Sequence, residues 1–296
     1  MLIDPAALRA VFRSPSRAAC TDRALVLTSV EVESLIRFDG QQFELCVDAH
    51  DEIRALAQLR QYERENVPPP RPPPAPRLHD HAWVGALVYV MVLLLVGVAI
   101  SSGWWRPEAF DIGALDADQW RQGQWWRAWT ALTLHLGADH LVANIGGGVW
   151  FGYLAARQLG SGVAWLLIVT GAALANALEA QWGPAYYRSV GASTAVFTAL
   201  GLMAAHSWRT RLPLRQSRAR RWAPLIAGTA LLGWFGTAGE GTDTVAHLLG
   251  FTVGCALGAV AGFPAVGRAL ERVPQWLAGL LALASIAVAW SCALSS

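Results

Sequence analysis

From residue 82 onward the chain is a series of long apolar blocks separated by short polar joints; before residue 80 it is not. The blocks lie near 82–102, 136–156, 163–182, 191–207, 222–238, 244–263 and 276–294. Each approaches the roughly 20 residues that a helix needs to cross a bilayer. The first and last are uninterrupted, as expected of helices that face lipid. The middle blocks are rich in Gly and Ala, as in GGG at 146–148, GAALANALEA and GCALGAVAG. Small residues let membrane helices approach closely, so the pattern predicts a compact bundle of seven helices. The second and fourth blocks also contain polar residues.

The first 80 residues have the patterning of a small soluble α/β unit. Thr21 or Asp22 can cap a short helix through Val30. The strand-like ESLIRF and QFELCV are joined by Asp39-Gly40, a strong hairpin signal. DEIRALAQLRQYEREN then places Ile53, Leu56 and Leu59 at helical spacing. VPPPRPPPAPR, residues 67–77, predicts a stiff extended spacer. The expected organisation is a cytoplasmic α/β domain over 1–66, a proline-rich linker over 67–80 and a transmembrane domain over 81–296.

Composition sharpens this picture. The chain has 296 residues, 54% hydrophobic and only 15% charged, against about a quarter charged in soluble domains. A net charge of +2 gives no argument for a nucleic-acid partner. The four cysteines show neither metal-ligand spacing nor a disulfide framework. All 23 basic residues are arginine, and their placement is uneven. RTRLPLRQSRARR, after the fourth block, carries arginines at 209, 211, 215, 218, 220 and 221. Alternation puts Arg157, Arg268 and Arg272 on the same side and leaves Arg106, Arg121, Arg127 and Arg188 opposite. By the positive-inside rule the N-terminus is expected in the cytoplasm and the C-terminus outside. The N-terminal stretch lacks the apolar core of a signal peptide, and seven spans satisfy that parity.

Strongly polar side chains inside a span are costly and mark candidate functional sites. HLGADHLVAN places His135, His140 and Asn144 at the start of the second span. SVGASTAVF places Ser193 at the start of the fourth, and TDTVAHLLGFTVG places His247 at the start of the sixth. Even-numbered spans all run from outside to inside, so these residues share one depth near the outer face. A serine hydroxyl needs a neighbouring imidazole to accept its proton before it becomes a useful nucleophile. The free N–H groups of a first helical turn suit a developing oxyanion, and His140 and Asn144, four apart, project from one helical face as further donors. Gly250 and Gly254 share a face with His247 and permit close approach of its helix to that of Ser193.

Taken singly, each residue has an ordinary reading. Serines in membrane helices commonly bond back to a carbonyl, glycines four apart commonly serve packing, and His140 and Asn144 can hydrogen-bond between helices. His135 reads as a structural residue bonded to loop backbone. His206 reads as solvated beside the arginine-rich loop, and His50, His79 and His81 lie outside the bundle. The joint pattern is what points to chemistry.

That joint pattern resembles the rhomboid intramembrane serine proteases. Trp126-Arg127 followed by a histidine and then H-x-x-x-N, here His140 and Asn144, is similar to the family's second helix. Gly191 and Ser193 match its Gly-x-Ser motif, with Phe197 the aromatic one turn later. His247, Gly250 and Gly254 match its H-x-x-G-x-x-x-G. The similarity runs over about residues 82–263, in order. It implies an all-α polytopic membrane bundle of six core helices plus one, with the small N-terminal α/β domain ahead of it. It further implies a Ser193–His247 dyad without a carboxylate, His140 and Asn144 stabilising the oxyanion, and Gly191, Phe197, Gly250 and Gly254 as motif support. The implied substrates are transmembrane proteins cleaved in or near their spans, in a lipid environment of the cell inner membrane, with no cofactor or metal. The pattern departs from the family at Thr194, where glycine is usual.

Three other classes compete. A non-catalytic rhomboid relative that binds transmembrane helices for quality control typically lacks the serine or the histidine, and both are present. A membrane metalloenzyme built on His135, His140 and His247 has no H-E-x-x-H carboxylate. A soluble α/β-hydrolase requires G-x-S-x-G after a strand, and G-A-S-T-A does not supply it.

Overall fold

The computed structural model describes residues 8–66, 78–212, 217–236 and 243–296. The chain divides into two compact units, Met1–Pro73 and Pro74–Ser296. The proline-rich spacer expected over 67–77 lies outside the described residues.

In the first unit, strand β1 (Leu8–Ser14) precedes helix α1 (Arg17–Ser29), strands β2 (Ser34–Phe38) and β3 (Phe43–Asp48), and helix α2 (Glu52–Glu65). The sheet is antiparallel with order β1-β3-β2. The expected hairpin forms at Asp39-Gly40. Gly40 takes a φ of +101°, and Asp39 Oδ1 accepts the N–H groups of Gln41 and Gln42 at 2.8 and 2.7 Å. One expectation, the helix cap, is corrected, and two features go beyond the pattern. Strand β1 is an addition; its alternation is blurred by arginines and by a register irregularity between Ala10 and Phe12. Helix α1 starts at Arg17, so Thr21 sits inside it and bonds back to the Arg17 carbonyl at 3.1 Å rather than capping. Ile53 is 83% exposed, and the buried face of α2 is carried by Ala55 and Leu59.

The second unit is built on seven long helices among the described residues. Helix α3 (Trp83–Ser101) leads into a segment containing α4 (Ala109–Gly113), β4 (Leu115–Asp116), α5 (Ala117–Arg121) and α6 (Arg127–Thr130). Then come α7 (Ala138–Leu159), α8 (Ser161–Trp182), β5 (Arg188–Ser189), α9 (Ser193–Arg211), α10 (Arg218–Phe235), α11 (Thr244–Ala261), the short α12 (Pro264–Glu271) and α13 (Gln275–Ser295). The long helices occupy the seven apolar blocks. Four of them, α3, α8, α11 and α13, are apolar and long enough to span a membrane; α3 and α13 are the least buried of these and α8 the most. The exposed leucines and valines of α3 and α13 form the surface that a bilayer solvates. Apart from Trp150 in the middle of α7, most exposed tryptophans lie at helix ends. Trp83, Trp222 and Trp276 lie at the starts of odd-numbered spans, and Trp104, Trp182 and Trp234 at or just past the ends of such spans. This is the two-belt distribution of membrane interfaces.

The arginine-rich segment is less of a loop than its composition suggests. Arg209 and Arg211 belong to the last turn of α9, and Arg218, Arg220 and Arg221 to the first turn of α10, where Ser217 Oγ accepts the Arg220 N–H at 3.4 Å. Long arginine stems can extend a helix past the apolar layer while their heads stay in water. His206 is likewise not simply solvated: its Nδ1 lies 2.8 Å from Gln158 Oε1, tying α9 to α7.

Helices α9 and α11 are in backbone contact along a row of glycines. A Cβ added at Gly250 would lie 2.6 Å from the Thr194 carbonyl oxygen. One at Gly254 would collide with the Thr198 carbonyl, one at Gly258 with that of Leu202, and one at Gly201 with that of Phe251. This seam of glycines brings two main chains into contact without an intervening side-chain layer. Gly97 on α3, by contrast, has nothing within 4 Å of such a Cβ. Gly254→Val is therefore expected to cost at least the ~1–3 kcal/mol typical of overpacking and to lower the thermal midpoint in detergent, while Gly97→Ala stays within about 0.5 kcal/mol. Equal midpoints for the two variants would contradict this account of the seam.

Candidate active site

Helix α9 begins at Ser193 with no side-chain cap. Its first-turn N–H groups therefore lack the partners that an N-cap supplies. The turn into the helix is set by Gly191, whose φ of +141° is a region that L side chains rarely occupy. A Cβ there would lie 2.9 Å from His140 Nε2 and 3.6 Å from Ser193 Oγ. Glycine is thus required both for the backbone conformation and for the approach of the imidazole to the serine. The Gly191 N–H donates to the Ala131 carbonyl at 3.0 Å, and the Ala192 N–H reaches His135 Nε2 at 3.5 Å. His135 thus bonds backbone, as expected of a structural residue, and that backbone immediately precedes Ser193. Its ring meets His140 edge-on, with centroids 5.1 Å apart.

His247 enters from α11 and is 7% exposed. Its Nδ1 lies 2.9 Å from the Gly236 carbonyl, which directs Nε2 away from that anchor, and its ring packs on Phe197 with centroids 4.5 Å apart. Among the described residues no hydrogen bond joins Ser193 Oγ to the imidazole. Both residues, with His140 and Asn144, line one cavity of about 1290 Å³. Asn144 is 5% exposed and its Nδ2 has no hydrogen-bond partner, a donor held in reserve inside the protein. The cavity runs between α7 (Gly146, Gly147, Trp150) and α10 (Leu231, Phe235), and its rim carries Asp111, Arg188 and Asp243.

Thr194 is 3% exposed and faces Gly250, where the missing side chain leaves room for it. Its small neighbours Ala192, Ala195 and Ala199 are also buried. The hydroxyl that bonds back at this level is that of Thr198, to the Thr194 carbonyl at 2.8 Å.

Several contributors to the site were given no role by the sequence, Arg127 of the Trp-Arg match among them. Arg127 is buried, and its Nη1 donates to the carbonyls of Asp111 and Ala114 at 2.7 and 2.6 Å. Asn176 Nδ2 donates to the Ala128 carbonyl at 3.0 Å. Together they fix the segment between α3 and α7, which pairs through Leu115↔Ser189 and Asp116↔Arg188 with the approach to Ser193. Arg188 reinforces the pairing with an ion pair to Asp111 at 3.0 Å. Glu179 and Asn176 are polar groups inside a span and meet the same criterion that singled out His247. Tyr187 and Asp243 are loop residues by pattern, and nothing in their spacing marks them.

The chain is similar to known proteins over this region. The rhomboid domain model matches residues 122–262, the stretch that holds His140, Asn144, Ser193 and His247, so over that region the chain is similar to the rhomboid family. Rhomboid-like protease 3 of Toxoplasma gondii is 29% identical over 204 residues, covering 66% of this chain and 74% of that protein. Rhomboid protease GluP of Bacillus subtilis (strain 168) is 28% identical over 187 residues, covering 63% of this chain but only 36% of the relative.

Proposed function

We propose that this protein is an intramembrane serine endopeptidase that cleaves transmembrane proteins in or near their spans, with Ser193 as nucleophile and His247 as general base. The observation that carries the reading is the convergence of Ser193, His247, His140 and Asn144, drawn from three helices, on one cavity. His247, anchored at Nδ1, accepts the Ser193 proton at Nε2 as the hydroxyl attacks the substrate carbonyl, then returns it to the leaving amine. The resulting oxyanion is met by first-turn N–H groups of α9, by His140 and by the unpartnered Asn144 Nδ2. The path between α7 and α10 supplies lateral access for an extended segment of a membrane substrate, and the polar rim supplies water. The distance left between Ser193 and His247 is closed by a bound substrate, as catalytic hydrogen bonds often tighten only in the complex.

The arginine asymmetry supports an N-in, C-out arrangement in the cell inner membrane, with the cavity opening to the outer face. A second reading is favoured by Thr194: a relative that keeps the cavity but binds transmembrane helices without cleaving them.

Four results are expected. Ser193→Ala and His247→Ala each abolish cleavage of a transmembrane substrate and labelling by a fluorophosphonate, and the double variant is no worse because the pair acts as a unit. His140→Ala and Asn144→Ala each lose about 10²–10³-fold in kcat, the scale of a lost oxyanion donor; substantial proteolysis by Ser193→Ala would overturn the mechanism. Thr194→Gly changes the cleavage rate by less than about tenfold and lowers the thermal midpoint slightly, since glycine weakens a helix. Wild type matching Ser193→Ala while Thr194→Gly cleaves well would establish the non-catalytic reading. Cysteines placed at Arg215 and Thr242, both outside the described residues, react with an impermeant reagent on intact cells only at 242. Reaction at 215 would reverse the orientation.

A further inference from the structure

One contact links the two segments that carry the candidate dyad, and neither partner lies among the motif residues. Tyr187 precedes Ser193 in the segment leading to α9, and Asp243 starts the helix that carries His247. The Tyr187 hydroxyl donates to Asp243 Oδ2. Asp243 Oδ1 accepts the Ala246 N–H at 3.1 Å, and the Asp243 carbonyl accepts the His247 N–H at 3.1 Å. One carboxylate thus caps α11 and holds the phenol. The Tyr187 backbone is itself fixed: its carbonyl accepts the Ala117 N–H at 3.0 Å and its N–H donates to the Pro184 carbonyl at 3.0 Å. The following residues, Arg188 and Ser189, pair with Asp116 and Leu115. Burial, and the carboxylate beside it, push the Tyr187 phenol above its ordinary range, so it remains a donor. Glu179, 5% exposed on α8, places its carboxyl beside both Tyr187 and Asp243.

The glycine seam holds α9 against α11 at Thr194, Thr198 and Leu202, on the inner side of the dyad. A seam of backbone contacts resists separation, but its glycines lie one turn and more beyond the start of α11. The Tyr187–Asp243 bond ties the start of the helix itself to the segment that leads to Ser193. We propose that Tyr187 and Asp243 are positioning residues for the peptide hydrolysis proposed above, an inference that rests on that reading. Their bond sets the bearing of His247 relative to Ser193, and neither residue touches the reacting atoms.

The test uses full-length protein in detergent with a transmembrane substrate, comparing wild type, Tyr187→Phe, Asp243→Asn, Asp243→Ala, the double variant Tyr187→Phe/Asp243→Ala, and Ser193→Ala as blank. Misplacement of a base acts on the chemical step, so Tyr187→Phe is expected to lower kcat about tenfold with KM changed less than about twofold. The rate of fluorophosphonate labelling at Ser193, which needs no substrate, falls in parallel. Asp243→Ala, losing cap and acceptor together, falls further. Asp243→Asn retains a good cap and an acceptor and recovers most of the rate. The double variant matches Asp243→Ala within about twofold because a single link is removed. Tyr187→Phe with wild-type kcat and labelling, a change in KM or thermal midpoint alone, or fully additive losses in the double variant would each overturn the inference. It would leave the protease reading standing. Wild type indistinguishable from the blank in both cleavage and labelling would instead remove that reading, and this inference with it.

Discussion

The site depends first on the contact between the main chains of α9 and α11. Ser193 and His247 are 54 residues apart in sequence, and in a bilayer no hydrophobic force draws their helices together, because lipid tails are as apolar as the side chains they would replace. What remains is packing, and packing is strongest where backbones touch. Gly250, Gly254 and Gly258 on one helix and Gly201 on the other leave no room for a Cβ against the opposing carbonyls. The seam fixes both separation and register. Register matters because it places the first turns of two helices running in the same direction at one depth, so that a serine and a histidine at equivalent positions meet in one cavity.

Around that pair the protein uses a different device, the pinning of loop backbone by buried polar side chains. Arg127 and Asn176 donate to carbonyls of the segment before α7, and Thr130 Oγ1 donates to the Gly113 carbonyl at 2.6 Å. A peptide group away from water must find a partner, and irregular backbone at membrane depth is tolerated only where it is buried in protein or borders a water-filled space. The segment between α3 and α7 and the approach to Ser193 meet that condition by bonding to each other through β4 and β5. The rigid bundle thereby carries a loop whose geometry is as constrained as that of its helices.

Much of this was legible in the sequence, for physical reasons that differ between elements. The seven long helices were visible because each must be apolar over a membrane's thickness, a constraint with no soluble counterpart. The motif residues were visible because Ser193, His140, Asn144 and His247 are expensive in lipid, and glycines four apart announce close packing. Strand β1 was not legible, since Arg9 and Arg13 interrupt its alternation. Ile53 misled because helical spacing fixes a common face without saying whether that face is buried. Thr21, a good cap residue by type, lies inside α1 because the helix starts one turn earlier. Tyr187 and Asp243 were invisible because their relation is purely tertiary: a phenol and a carboxylate from two loops carry no spacing that relates them.

The polar groups of the bundle sort by whether they are satisfied, and the sorting bears on function. Thr170, Thr198 and Thr252 hydroxyls bond back to carbonyls of their own helices, so their burial costs little. Arg127 and Asn176 spend their donors on loop carbonyls. Among the described side chains that line the cavity, Asn144 alone leaves a buried polar atom without a partner. Such a group ordinarily costs about 1–3 kcal/mol. It sits on the same helical face as His140, and Ser193 and the uncapped start of α9 line the same cavity. A donor with no fixed protein partner can serve a charge that develops only transiently. The Asn144 amide, on the face of α7 that also carries His140, is thus the buried donor on which the proposed oxyanion role would draw.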